Sequence, residues 1–280
     1  MELKEKREFH KRVWAATIFV PVILGIVWVG GLAFLLLVAL LIGLGLWEFY
    51  ELCEKMDFSP FKILGITGGV GLAIMIYLNN LRIGSYLGSN GTAFLLFVLI
   101  LLGYLLSFCR KQSFDRVLLD LAMTFLGIAY VSWLWSHLIL LREFRPGGMQ
   151  WTFSLIFTIW LMDVGCYGVG LKFGRHKLAS RLSPHKTVEG ALGGLVVALL
   201  TTVVCWVLFL QNLTSLPRVM VLGLIIGVLA QLSDLSESLL KRAAGVKDSS
   251  GLIPGHGGIL DRFDSFFFSA PFLYYYLIFF

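Results

Sequence analysis

The chain has 280 residues, 58% of them hydrophobic and only 14% charged, with a mean hydropathy of +0.85. A soluble domain cannot cover its surface with so few charges, so the composition describes an all-α, polytopic integral membrane protein with about nine transmembrane helices. The formal charge of +6 does not point to nucleic acid, because the basic residues are scattered through loops while the aromatic ones fall mostly in apolar stretches; contact with anionic membrane lipids accounts for it.

The opening MELKEKREFHKR is too charged for a signal peptide, and Val13 to Gly30 has no convincing cleavage site, so this end reads as an interfacial helix entering the first span. Stretches able to cross roughly 30 Å of hydrocarbon fall near 13–30, 31–47, 61–78, 92–108, 118–141, 151–171, 190–210, 218–240 and 264–280. Only Gly30 and Gly31 separate the first two, which form either a tight hairpin or a kinked re-entrant pair. With the N-terminus inside, the tail, Lys62 and the loops 48–60, 109–117, 172–189 and 241–263 collect the basic residues, leaving Arg82, Arg142, Arg145 and Arg218 opposite. The positive-inside rule therefore predicts a cytoplasmic N-terminus, a far-side C-terminus and both richest loops on the cytoplasmic face of the inner membrane. Residues 1–150 supply about five spans, and 151–280 form a catalytic region with motif loops 172–189 and 241–263. Cys53, Cys109, Cys166 and Cys205 lack metal-site spacing and are expected as free thiols. The clusters Gly65, Gly68, Gly69, Gly71 and Gly190, Gly193, Gly194 are expected to let helices pack closely. Internal similarity between halves, the usual mark of a transporter, is not evident.

Acidic residues inside apolar stretches carry the next signal. Asp120, Asp163, Asp234 and Glu237 lie where an ionised group costs about 3 kcal/mol on the insertion scale, so a polar cavity is expected beside them. Asp234, Glu237, Ser238 and Lys241 share one helix face that runs into the segment SLLKRAAGVKDSSGLIPGHGGILDRFD, Ser238 to Asp264. Basic groups there suit phosphates, and glycines let backbone N–H groups approach them. Asp261 and Asp264 project to one side of a helix, and Asp234 joins them if the flanking spans pack together. Three carboxylates around one point call for cations, Mg²⁺ first, with room for a second whose identity is not legible. The alternative is that these aspartates, and Asp248, cap helices or pair with Lys247 and Arg262. His256 suits phosphate contact or loop structure better than general-base work, since a phosphate nucleophile is already ionised near neutral pH.

The segment from Ser238 to Asp264 resembles the signature of the CDP-diacylglycerol synthases (phosphatidate cytidylyltransferases), S-x-x-K-R, four residues, K-D, then P-x-H-G-G-x-x-D-R-x-D. Every fixed position is filled, by Ser238, Lys241, Arg242, Lys247, Asp248, Pro254, His256, Gly257, Gly258, Asp261, Arg262 and Asp264. Asp163 to Gly190, with Tyr167, Gly174-Arg175-His176-Lys177-Leu178 and Ser183 to Gly190, is similar to that family's other cytoplasmic region, departing at Val188, where an aromatic residue is more usual, and at Val164, where a small hydroxyl residue is common. The first 150 residues match only in hydrophobic character.

The resemblance implies transfer of a cytidylyl group from CTP to phosphatidic acid, giving CDP-diacylglycerol and pyrophosphate. It implies Asp234, Asp261 and Asp264 as holders of Mg²⁺ and a second cation, and Lys241, Lys247, Asp248, His256 and Arg262 as the catalytic set. Arg175, Lys177, Ser183, Lys186, Ser238, Arg242, Gly257 and Gly258 would bind substrate, with Asp163, Glu189 and Glu237 orienting them. A homodimer is compatible with this reading. Two rivals predict other outcomes: a CTP-dependent isoprenoid-lipid cytidylyl- or phosphotransferase, and a cation-coupled transporter.

Overall fold

The computed structural model describes residues 19–81, 88–252 and 257–280, for 88–90 the backbone only. The charged tail, Arg82, Pro254 and His256 lie outside these residues. The chain runs through α1 (Phe19–Val29), α2 (Gly31–Lys55), α3 (Lys62–Asn80), α4 (Gly88–Phe108), α5 (Phe114–Gly127), a π-helical stretch (Ile128–Trp133) and α6 (Leu134–Glu143). There follow α7 (Gly148–Phe173), β1 (Lys177–Ala179), β2 (Ser183–Thr187), α8 (Val188–Cys205) extended by π-helix to Leu210, α9 (Leu216–Ala243), α10 (Leu260–Phe263) and α11 (Phe266–Phe279). Among the described residues, seven segments are long and apolar enough to cross a membrane, with Phe114–Glu143 counted as one. Each of the nine expected spans contains a helix, but α1 and α11 are shorter than a full crossing. Gly30 and Gly31 take φ of 67° and 54°, a left-handed step that ends α1 and starts α2.

Contacts divide the chain into two compact units, Met1–Leu140 with Ala243–Arg262, and Leu141–Arg242 with Phe263–Phe280. Residues 243–262 of the signature segment thus belong to the first unit, and its two ends to the second.

In the first unit, α3 approaches α2 and α4 through glycine. A Cβ on Gly65 would enter the Tyr50 ring, 2.6 Å from Cε2, and one on Gly68 would lie 2.6 Å from Leu99 Cδ2. In a bilayer, where burial of apolar surface drives little helix association, such close van der Waals packing and buried hydrogen bonds do the work. Tyr50 Oη donates to the Thr124 carbonyl at 2.8 Å, and Ser132, within the π-helical stretch, donates to the Gly69 carbonyl at 2.5 Å. Asp120 does not face a cavity. It is buried, accepts from Ser59 N at 2.7 Å and pairs with Arg110 at 2.7 Å, so its charge is neutralised where loops 56–61 and 109–113 meet. The Arg110 guanidinium also covers the Phe61 ring, 4.0 Å from its centroid.

In the second unit, α7 and α8 pack through small residues as expected. A Cβ on Gly193 would lie 2.5 Å from Val169 Cγ2, one on Gly190 would lie 2.8 Å from the Cys166 carbonyl, and one on Gly194 would enter Cys166 Sγ. Between these helices the chain forms an antiparallel hairpin, with Lys177 opposite Thr187 and Ala179 opposite Ser183. The sequence does not announce it, because β1 is only three residues long and largely exposed. Thr187 ends the hairpin and caps α8, its Oγ1 accepting from Gly190 N at 3.1 Å. Side chains such as Leu192, Val196, Leu200 and Leu208 remain exposed along α8, as a lipid-facing surface requires. The four cysteines are free.

Candidate active site

The second unit holds a cavity of roughly 520 Å³ lined by the C-terminal half of α7, the hairpin, the start of α8 and the middle of α9. Its polar lining includes Asp163, Ser183, His185, Lys186, Gln231 and Asp234, and its apolar lining includes Leu171, Leu178 and Ala191. Lys186 and Asp234 form an ion pair across it, each about 29% exposed. This pairing joins the Asp163–Gly190 region to the face of α9 that leads into the signature segment. Gln231, one helical turn before Asp234, donates to the Ala191 carbonyl at 3.2 Å and so ties α9 to α8. Its spacing of three from Asp234, which puts both on one helix face, is the sequence signal for it. The cavity of about 610 Å³ formed by residues 142–150 carries none of the motif residues.

Arg175 and Lys177 do not line the cavity; both side chains are exposed where the hairpin begins. Glu189 anchors that turn, accepting from Arg175 N at 3.0 Å and His176 N at 3.1 Å and meeting His176 Nδ1 at 2.6 Å. Arg242 Nε donates to the Leu182 carbonyl at 2.9 Å, so this signature arginine braces the hairpin turn. Further along the same α9 face, buried Glu237 pairs with Lys241 at 2.5 Å, and Ser238 is buried beside them. Ser233 Oγ donates to the Asp264 carbonyl at 2.5 Å, and the Asp264 carboxylate accepts from Ser265 N at 2.6 Å. Asp264 is buried, and the charges of Asp234, Glu237 and Asp163 act on it.

In the first unit, the signature loop wraps around two carboxylates. Asp261 Oδ2 accepts from Ser249 N at 2.9 Å, Ser249 Oγ at 2.9 Å and Gly258 N at 2.8 Å. Glu48, wholly buried on α2, accepts from Ser250 Oγ, Ser249 Oγ, Ile259 N and Leu260 N at 2.6 to 3.0 Å. Gly257 and Gly258, expected to approach substrate, here make room for these anions. Gly257 has φ 78° and a Cβ there would lie 2.6 Å from Asp261 Oδ2, while one on Gly258 would lie 2.5 Å from both Glu48 oxygens. Lys247, Asp248 and Arg262 are exposed. Glu48 escaped the sequence reading because it falls one residue past the expected span 31–47, where a charged side chain needs no explanation.

The profile of the cytidylyltransferase family matches residues 10–280. The chain belongs to that family. A phosphatidate cytidylyltransferase of Staphylococcus saprophyticus is 36% identical over 261 residues, covering 92% of this chain and 94% of that protein. One from Bacillus subtilis is 33% identical over 279 residues, with 96% and 98% covered, and one from a Synechocystis species is 33% identical over 295 residues, with 96% of each covered.

A cytidylyltransferase handles a triphosphate, and the donor set can be tested for a divalent ion. In the second unit, Asp163, Asp234, Glu237 and Asp264 share one electrostatic neighbourhood, with Lys186 and Lys241 paired to two of them. All the donors are carboxylate oxygens, and two of the residues, Glu237 and Asp264, are buried, where repulsion from like charges is costly, which fits a hard cation such as Mg²⁺. Within its own unit each of two expected metal holders has a partner: Asp234 pairs with Lys186, and Asp261 Oδ2 accepts from its own loop. Among the described residues, no three His, Cys, Asp or Glu side chains are already arranged around an ion.

Proposed function

We propose that this membrane cytidylyltransferase acts as a phosphatidate cytidylyltransferase, moving CMP from CTP to phosphatidic acid at the cytoplasmic face of the inner membrane. The observation that carries this reading is similarity at 33% to 36% identity, over more than nine-tenths of both chains, to bacterial proteins of that name. The cavity supports it, since polar groups for a phosphate and apolar walls for an acyl chain line the same space.

A phosphatidate oxygen attacks the α-phosphorus of CTP, the bond from that phosphorus to the bridging oxygen breaks, and pyrophosphate leaves with the electron pair. No proton need be removed from an ionised phosphate, so no general base is assigned. Lys186 holds a phosphate oxygen, and Ser183 offers a hydroxyl from the same strand. Arg175 and Lys177, exposed at the hairpin, draw the triphosphate in from water. Asp234 and Asp264 would hold Mg²⁺, which would supply positive charge to the triphosphate. Glu237 keeps Lys241 in place, and Glu189 and Arg242 keep the hairpin in place, so the second unit presents its charges on a braced frame.

Purified protein given CTP, Mg²⁺ and defined phosphatidate should yield CDP-diacylglycerol and pyrophosphate in equal amounts. Release of CDP with a phosphorylated lipid would instead establish a phosphotransferase, and solute uptake without CTP turnover a transporter.

A further inference from the structure

Glu48 is a glutamate with no exposed surface on a helix that otherwise reads as a membrane span. Such a charge is costly to bury unless it is fully hydrogen-bonded, and all four hydrogens it receives come from one segment two hundred residues away in sequence. Oε1 accepts from Ser250 Oγ at 2.6 Å and Ile259 N at 2.8 Å; Oε2 accepts from Leu260 N at 2.8 Å and Ser249 Oγ at 3.0 Å. Its donors lie on both sides of the loop apex, so one carboxylate closes the loop at its base. Two of them, Ile259 N and Leu260 N, are backbone N–H groups at the start of α10. The Ser249 hydroxyl lies 2.9 Å from Asp261 Oδ2 as well; having one hydrogen, it serves only one of the two carboxylates at a time, which couples Glu48 to Asp261. A Cβ on Gly258 would enter the Ser249 hydroxyl and lie 2.5 Å from both Glu48 oxygens, so the second glycine of the His-Gly-Gly sequence is the one that admits Glu48.

We propose that Glu48 is a positioning residue for the transfer reaction: it fastens the base of the signature loop to α2 and so sets the orientation of Asp261 and Arg262. The catalytic half of this statement rests on the function proposed above; the fastening half does not. Replacing Glu48 by glutamine keeps the shape but turns one acceptor oxygen into an NH₂ group facing donors, so at least one of the four bonds becomes a repulsive contact. Glu48→Asp keeps the charge on a shorter arm.

The test uses the full chain in detergent and two readouts. Amide hydrogen exchange over residues 257–262 should accelerate at least about tenfold in Glu48→Gln, the scale expected from losing a bond to a charged group, and less in Glu48→Asp. Glu51→Gln, which removes a charge one turn along the same helix where Glu51 accepts from Trp47, should leave that exchange unchanged. Turnover of CTP with phosphatidate should fall at least about tenfold in kcat with KM for CTP within about threefold, as expected for lost transition-state positioning, and Glu48→Asp should recover part of it. Should Glu48→Gln fail to yield folded protein, Ser250→Ala, which removes a single donor and leaves the charge, is measured in its place and should still speed exchange. Unchanged exchange in the folded variant overturns the fastening. Faster exchange with kcat unaltered overturns the positioning role alone, and a wild-type protein without transfer activity but with the predicted exchange pattern faults the proposed function and not the fastening.

Discussion

Lys241 fills a signature position, yet its ammonium lies 2.5 Å from the Glu237 carboxylate, with only 12% of its side chain exposed and none of the glutamate's. At that separation, and with an effective dielectric constant of about 20, the attraction is roughly 6 to 7 kcal/mol before desolvation is subtracted. Lys241→Met removes the ammonium and leaves the carboxylate buried on α9, a change that costs about 3 to 5 kcal/mol in comparable buried pairs. The double variant Glu237→Gln/Lys241→Met removes both charges and should return to within about 1 to 2 kcal/mol of wild type, giving a coupling of at least about 2 kcal/mol. Denaturant titration in detergent micelles, followed by tryptophan fluorescence, measures Lys241→Met, the single variant Glu237→Gln and the double variant. A Lys241→Met variant less than about 1 kcal/mol below wild type, or a double variant equal to the sum of the singles, would refute the pairing as a stabilising contact and return Lys241 to phosphate binding alone.

Asp234→Asn and Asp264→Asn should each remove most turnover while the protein still purifies as a folded species, and chelation followed by Mg²⁺ should abolish and restore wild-type activity; near-normal rates in both variants would end the metal assignment. Lys186→Ala should lower kcat/KM by about 2 to 4 kcal/mol in transition-state terms, as for a lost preorganised charge, and a loss of only about twofold would make it a solvated lysine. Gly194→Ala places a methyl group in Cys166 Sγ and should destabilise by about 1 to 3 kcal/mol, readable as a lower apparent melting temperature. A single cysteine at exposed Ser180 in the hairpin turn should react with a membrane-impermeant thiol reagent in inside-out vesicles and not in intact cells.

The spans were legible because hydrocarbon demands long apolar runs, and the packing roles of Gly65, Gly68, Gly190, Gly193 and Gly194 followed from the same solvent. Intramembrane acids were a less uniform guide. Asp163 and Asp234 line the cavity, whereas Asp120 is consumed by Arg110 at a loop junction, and nothing in a single apolar stretch distinguishes the two outcomes. The motif spacing identified which residues matter but not what each touches: Arg242 braces a carbonyl of the hairpin, and Gly258 clears space for a carboxylate on α2. Such partners lie about 60 and 210 positions apart, beyond any periodicity that a local pattern records.

The π-helical stretch at Ile128–Trp133 has a consequence for how this chain tolerates change in length. One extra residue in a helical turn advances everything beyond it by about 100° around the axis, so α5 and the residues after Trp133 run in different phases along a single membrane crossing. Val131 and Trp135, which pack against Gly45, owe their direction to that offset. A one-residue deletion there would leave a continuous, equally hydrophobic helix whose lower part faces a different neighbour, so the fault would be one of rotation, invisible to any measure of hydropathy.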